Sequence, residues 1–349
     1  MKQGFEDAGS AAVLVWRGER IESRHRVAFA VADAAGALVH GGGDLSEAAF
    51  PRSAVKPLQA LAVLESGAAD RFALTPVEVA LACASHNGEP SHVSAVAAWL
   101  GRLGLKPDAL ECGVHPPSYD PAAEALARRG EPPSPLHNNC SGKHAGMLTL
   151  ACHLGVPTGG YVERGHPVQQ RIAAILAEMA DAGPLPAPAI DGCSVPTFPL
   201  TLPQLATAMA RLADPGRLRP ELATACRRVQ SAMREHPDLV AGTGRACTAI
   251  MTALPDVLVK TGAEGVYAAA LPSRGFGMAL KVEDGSGRAA PVALLALLDA
   301  LGAIDEPARA TFDEIARPKL RNHRGLLVGR IGPAPGWPNL AQQFGPWNE

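Results

Sequence analysis

Strand-forming stretches lie at the two ends of this 349-residue sequence and helix-forming stretches lie between them, which restricts the fold more than any other feature. Near the N-terminus, Ala12 to Trp16 precedes an Arg17-Gly18 turn, and Val27, Phe29 and Val31 then alternate before Ala34-Ala35-Gly36 and the apolar run Ala37 to Val39. A period of two broken by turn residues reads as an antiparallel meander. Towards the other end the pattern returns in Val257 to Lys260, Val266 to Leu271, Gly277 to Val282 and Leu326 to Ile331, with a Gly262 to Gly265 turn. Between the ends, Thr75-Pro76-Val77-Glu78 and Thr201-Leu202-Pro203-Gln204 have the order of a capping box with proline early in the helix. Val168, Ile172, Ile175, Leu176 and Met179 recur at helical spacing after Pro167, and Gly104 and Gly155 stand where C-terminal caps belong. This distribution predicts an α/β fold in which one mainly antiparallel sheet, built from N- and C-terminal strands, is flanked by helices, rather than a βαβ alternation. The expected division is a single chain with a sheet-containing core in 11–90 plus 245–332, a mainly helical region in 91–244 and a tail in 333–349.

Composition removes several classes of function. A net charge of −2 with 4% aromatic residues leaves neither a basic field nor stacking platforms for nucleic acid, so a small-molecule partner is expected. The apolar run Val292 to Leu298 stops at Asp299, short of the roughly 20 residues a spanning helix needs, so no membrane span is expected. Met1 to Asp7 carries acids and no apolar block, which predicts a cytoplasmic protein. Its seven scattered cysteines then suit burial, catalysis or metal binding better than disulfides. No Gly-x-Gly-x-x-Gly opens a helix after a strand, which argues against a Rossmann fold, and Gly41-Gly42-Gly43 is too short to claim a phosphate.

Only seven of 32 basic residues are lysines. Lysine is the cation that can lose its proton near neutral pH, so a lysine inside a motif carries more meaning here than an arginine. Ser53-Ala54-Val55-Lys56 precedes the helical run Leu58, Leu61, Leu64, placing Ser53 near a helix start with Lys56 on the same face. A neutral Lys56 could take the serine proton, while the helix start and its backbone N–H groups would favour developing negative charge. Taken alone the pattern is weak, and a capping serine beside a solvated lysine explains the segment better. Ser85-His86-Asn87 lies between predicted helices, and Lys260-Thr261-Gly262 ends a predicted strand. The order Ser-x-x-Lys, Ser-x-Asn, Lys-Thr-Gly is that of penicillin-recognising enzymes, although 32 residues from Ser53 to Ser85 and 175 from Ser85 to Lys260 argue against a plain β-lactamase.

A third cluster, His137 to His144, leads into an apolar helix, and Asp191-Gly192-Cys193 forms another polar loop. Cys140 and Lys143 share a helical face and, with Cys193, could supply two thiolates and an amine to a metal. Such a site weakens as pH falls, because lysine ligates only when neutral. On their own, Cys140 and Cys193 read as buried small apolar residues. Of the histidines, His86 and His144 lie inside motifs, whereas His25, His40, His92, His115, His153, His166, His236 and His323 stand outside any polar cluster and read as structural or surface residues. Arg52, and Arg245 in Gly242-Thr243-Gly244-Arg245, could grip a substrate carboxylate or serve in ordinary ion pairs.

Read together, Phe50 to Pro57, Ala82 to Glu89, Asn138 to Met147 and Val259 to Gly265 resemble the rhizobial-type L-asparaginases, over nearly the whole chain from about Ala12 to Ile331. The block Asn138-Asn139-Cys140-Ser141-Gly142-Lys143-His144 is the most specific part. The resemblance implies a fold related to serine β-lactamases and glutaminases, a homodimer, and two serine-lysine tandems in which Ser53 pairs with Lys56 and Ser85 with Lys260. It also implies a zinc site with Cys140, Lys143 and Cys193 as ligands and Asp191 behind them, the metal affecting substrate binding more than activating the nucleophile. Cys193 rests on the shorter match Asp-Gly-Cys.

The expected reaction is hydrolysis of L-asparagine to L-aspartate and ammonia, with Ser53 attacking the carboxamide, Lys56 taking its proton, and Ser85 and Lys260 relaying protons. Arg52, His86, Asn87 and His144 are the candidate substrate-binding residues. The alternative within enzymes is a Ser-Lys hydrolase of another amide or ester, glutaminase- or β-lactamase-like. One methylene separates asparagine from glutamine and is worth only about 1–3 kcal/mol in a pocket. From another class, the chain could be a zinc-stabilised protein that senses an amino acid without turnover, a reading that two complete serine-lysine pairs argue against.

Overall fold

The computed structural model describes residues 11–340. Among the described residues the strands expected in one sheet form two main sheets, each drawing strands from both ends of the chain, with two two-stranded ribbons besides, and all pairing is antiparallel. The first, in order, is Lys319–Arg321, Leu327–Pro333, Val13–Arg17, Arg20–His25, with Val15 opposite Ile331. The second is Leu38–Gly42, Val27–Asp33, Phe276–Val282, Val266–Leu271, Leu258–Thr261, with Ala30 opposite Ala279 and Ala268 opposite Lys260. The division falls at Arg26. Arg20–His25 alternates exposed and half-covered residues and serves as an edge, whereas Val27 to Ala32 is buried throughout and needs neighbours on both sides and both faces. The edge strand escaped the sequence reading because its polar run offers little apolar alternation.

The helices follow their sequence signals closely. Thr75 and Glu78 form a reciprocal capping box at the start of Pro76–Ala82, and Thr201 and Gln204 form another before Leu202–Ala213; each such cap is worth about 0.5–2 kcal/mol. Gly155 takes the left-handed conformation that ends Ser141–Leu154. The apolar run at Val292 lies in the helix Ala290–Ala300, which packs against strands of both sheets and is therefore covered nearly all round. Among the described residues no helix is long and apolar enough to cross a membrane. Leu202–Ala213 lies on the second sheet, and the helices Lys56–Glu65, Pro76–Ala82, Ser141–Leu154, Pro167–Ala180 and Pro220–Glu235 pack together beyond it. Part of the expected tail joins the core: Ala334 is buried, and Trp337 meets the edge of Phe29 with ring centroids 6.0 Å apart. Residues 341–349 of that tail lie outside the described residues.

Candidate active site

Three segments distant in sequence converge where the helices meet the second sheet. Ser53 sits on the short 3-10 turn Arg52–Val55, and Lys56 opens the helix proper. Arg52 is in the left-handed region at φ 51°, a conformation that costs a non-glycine residue free energy and is held here by its surroundings. Its guanidinium reaches across to ion-pair with Asp191. The strand Leu258–Thr261 brings Lys260 alongside, and its approach depends on Gly262, where an added Cβ would lie 2.5 Å from Pro51 O. Ser85 follows the helix Pro76–Ala82 in a loop anchored by Ser85 N–H donating to Val240 O at 2.9 Å.

Both lysines are buried and both turn to one hydroxyl. Lys56 Nζ donates to Ser85 Oγ at 2.8 Å and to Ala84 O at 2.7 Å, and Lys260 Nζ lies 2.8 Å from Ser85 Oγ and 3.1 Å from Thr261 O. Ser53 Oγ makes no side-chain hydrogen bond among the described residues, so the reach of Lys56 is to Ser85. Ala54 N–H is committed to Pro51 O at 3.0 Å and is withdrawn from any oxyanion. Burial, followed by the charge of Lys56, pushes Lys260 well below the ordinary lysine value. Burial lowers Lys56 as well, with Lys143 adding to the effect. Two buried ammonium groups around one oxygen repel each other, so the arrangement favours a neutral amine opposite a charged one. A neutral amine beside a serine is what proton abstraction from that serine requires.

A cavity of about 280 Å³ opens onto this cluster, lined by Ser53, Ser85, Arg52, Arg245 and Thr261 on one part and by Asn139, Cys140, Asp191, Cys193 and His115 on another. His115 was expected to be structural; its Nε2 accepts from Asn139 N–H at 3.0 Å, a contact across 24 residues for which His115-Pro116-Pro117 gives no local signal. His86 and His144 are buried and absent from that lining. His86 Nε2 meets Ser141 Oγ at 2.9 Å and its ring stacks on His92, while His144 Nδ1 meets Tyr161 OH at 2.6 Å. Burial drives both histidines well below the usual value, which keeps them neutral. Asn87 is likewise buried, its amide spent on protein partners.

Cys140 and Lys143 stand at the start of Ser141–Leu154, and Cys193 on its loop comes up to them: Lys143 Nζ donates to Cys193 Sγ at 2.9 Å, and Cys193 lies 3.8 Å from Asp191 Oδ2. A hydrogen bond from Cys193 is the largest cause pulling the Cys140 thiol well below its ordinary value, while the same bond and burial push Cys193 up. Burial opposes charge on Lys143, but Cys193 and Cys140 together raise it above the ordinary range. All seven cysteines are free. Among the described residues no group of three or more His, Cys, Asp or Glu side chains is placed to hold a metal ion. A metal here would therefore depend on the lysine as third donor; two thiols and an amine, with Lys143 bonded to Cys193, suit zinc in kind.

The profile of the L-asparaginase II family matches residues 13–333. The chain belongs to that family. The match bears out the likeness carried by the Ser53, Ser85, Cys140 and Lys260 motifs and makes the chain a member of an amidohydrolase family. No curated protein matches the chain in sequence. Among solved structures, the native crystal structure of Mglu has 17% identity and a TM-score of 0.47 over 80% of this chain and 66% of its own. Mglu with tris and glutamate gives 16%, 0.48, 84% and 63% in the same order. A β-lactamase from Mycobacterium bovis gives 14% identity and a TM-score of 0.37, over 83% of this chain and 95% of its own. The family member described here thus spans just under two thirds of the length of the Mglu chains.

Proposed function

We propose that this protein hydrolyses L-asparagine to L-aspartate and ammonia through a serine nucleophile activated by lysine. Membership of the L-asparaginase II family supports the substrate, and the observation that carries the chemistry is Ser85 Oγ held at 2.8 Å from two buried lysine amines at the floor of a small polar cavity that also exposes Ser53. Ser53 Oγ attacks the side-chain carboxamide carbon and its proton passes to neutral Lys56. Ser85, bonded to both lysines, relays a proton to the departing nitrogen, which leaves as ammonia. Water then attacks the acyl ester by the same route in reverse and releases aspartate. A second reading makes Ser85 the nucleophile; it is favoured by the two amine contacts that Ser53 lacks.

In the same reading Cys140, Lys143 and Cys193 would hold zinc, with Asp191 steadying Cys193 and Arg52. When bound, the ion would supply positive charge at the edge of the cavity that favours substrate binding. A homodimer in the cytoplasm completes the proposal.

The deciding experiment is ammonia release from L-asparagine and from L-glutamine, followed by acid quench and peptide mapping of the acyl group. Acyl on Ser53, with Ser53→Ala below about a tenth of the wild-type rate, is the expected result. Acyl on Ser85 selects the second reading, and absence of ammonia from asparagine overturns the substrate.

A further inference from the structure

The cavity contains two guanidinium groups in unlike circumstances. Arg52 is ion-paired with Asp191, the one carboxylate in the lining. Arg245 makes no ion pair among the described residues; its guanidinium donates from Nη1 to the neutral Asn87 Oδ1 at 3.0 Å. A half-buried arginine on a cavity wall with only a neutral partner has charge to spend on a ligand.

What holds Arg245 is a clamp built on Glu89. Asn87 Oδ1 accepts from Arg245 and from Ser118 Oγ (3.2 Å), and its Nδ2 donates to Glu89 Oε1 (3.1 Å) and Thr243 O (2.9 Å), so both ends of the amide are fixed. Glu89 accepts in addition from Thr243 N–H (2.7 Å) and Thr243 Oγ1 (2.8 Å). The loop closes this tightly because Gly242 sits at φ 111°, where a Cβ would come within 2.6 Å of Asn87 Nδ2 and Glu89 Oε1. One carboxylate thus ties the Ser85-His86-Asn87 loop to the Gly242-Thr243-Gly244-Arg245 loop.

We propose that Arg245 binds the α-carboxylate of the amino-acid substrate and that Glu89, acting through Asn87 and Thr243, is the positioning residue that sets it. The proposal rests on the amidohydrolase reading above and adds which cation reads the α-carboxylate. Arg52, occupied by Asp191, is left to hold the turn that carries Ser53.

The test is steady-state kinetics on L-asparagine for the wild type, Arg245→Gln, Glu89→Gln, the double variant and Arg52→Gln, with calorimetric titration of L-aspartate into each and thermal melts to establish folding. Arg245→Gln is expected to raise KM at least 10-fold with kcat within about 3-fold, and to weaken aspartate binding by the same factor. Glu89→Gln is expected to raise KM about 3- to 10-fold, and the double variant to match Arg245→Gln alone, since one residue acts through the other. Should either single variant fail to fold, Arg245→Lys and Glu89→Asp replace them, with a smaller rise in KM expected. Additive losses in the double variant, unchanged KM and aspartate affinity in Arg245→Gln, or the larger KM effect in Arg52→Gln would each overturn the proposal. If the wild type releases no ammonia, the asparaginase reading fails by itself, and the clamp stands or falls on whether Arg245→Gln weakens aspartate binding; a wild type that binds no aspartate overturns both.

Discussion

Lys56 and Lys260, 204 positions apart in sequence, stand on either side of one hydroxyl, each amine 2.8 Å from Ser85 Oγ. Both are buried, so neither charge is relieved by water. Proximity and burial both favour one amine without its proton, the state in which the proposed mechanism uses its base.

Burial lowers Lys260 in the folded protein relative to the unfolded chain, so the unfolded state binds more protons below the unfolded lysine value near 10.4. Stability from this group is therefore fully present above that value and is lost as pH falls towards the lowered one. Urea unfolding of the wild type and Lys260→Met at pH 7 and pH 10 is the check. The wild type should gain on the variant as pH rises, and Lys260→Met should be inactive at both.

Lys56→Arg keeps the charge and removes the capacity to become neutral. A fall in kcat of about 100-fold or more is expected across pH 6–9, within the range that loss of general-base catalysis produces. Retention of the wild-type rate across that range would show that the charge alone suffices.

At Gly262 there is no room for a methyl group: the added Cβ would lie 2.5 Å from Pro51 O and 2.9 Å from Val266 Cβ. Gly262→Ala should cost about 1–3 kcal/mol in chemical denaturation, as overpacking does. It should also lower kcat, because Pro51 leads directly into the turn carrying Ser53.

Zinc, if held by Cys140, Lys143 and Cys193, should raise the melting temperature, by an amount corresponding to about 2.7 kcal/mol at one hundred times its dissociation constant. Cys193→Ser should abolish the shift. Since the two cysteines raise Lys143 above its ordinary value, the amine must give up a firmly held proton, and zinc affinity should fall steeply from pH 8 to pH 6 in competition titrations.

Much of the site could be read from the sequence because its motifs are local. Ser53 and Lys56 lie three residues apart, Lys260-Thr261-Gly262 ends a strand that alternation reveals, and the capping boxes at Thr75 and Thr201 depend on four residues each. What stayed hidden depends on distant encounters. Local spacing joins Lys56 to Ser53, whereas its amine bonds Ser85, 29 residues on. His115 and Glu89 reach the site through partners 24 and 154 residues away. The division into two sheets was hidden for a different reason: Arg20–His25 is a polar edge of the first sheet whose strand character comes from its neighbour and from no apolar period of its own.

The strand Phe276–Val282 is the seam between the two ends of the chain, joined to Val27–Asp33 on one side and to Val266–Leu271 on the other. While the protein is being made, the early strand has only Leu38–Gly42 to pair with until residue 282 has left the ribosome, and until then the strand bearing Lys260 has only Val266–Leu271 beside it. Nascent chains shorter than this would carry Ser53 and Ser85 without a base on the far side. On the proposed mechanism, a chain assembled in this way stays silent until residue 282 has been made.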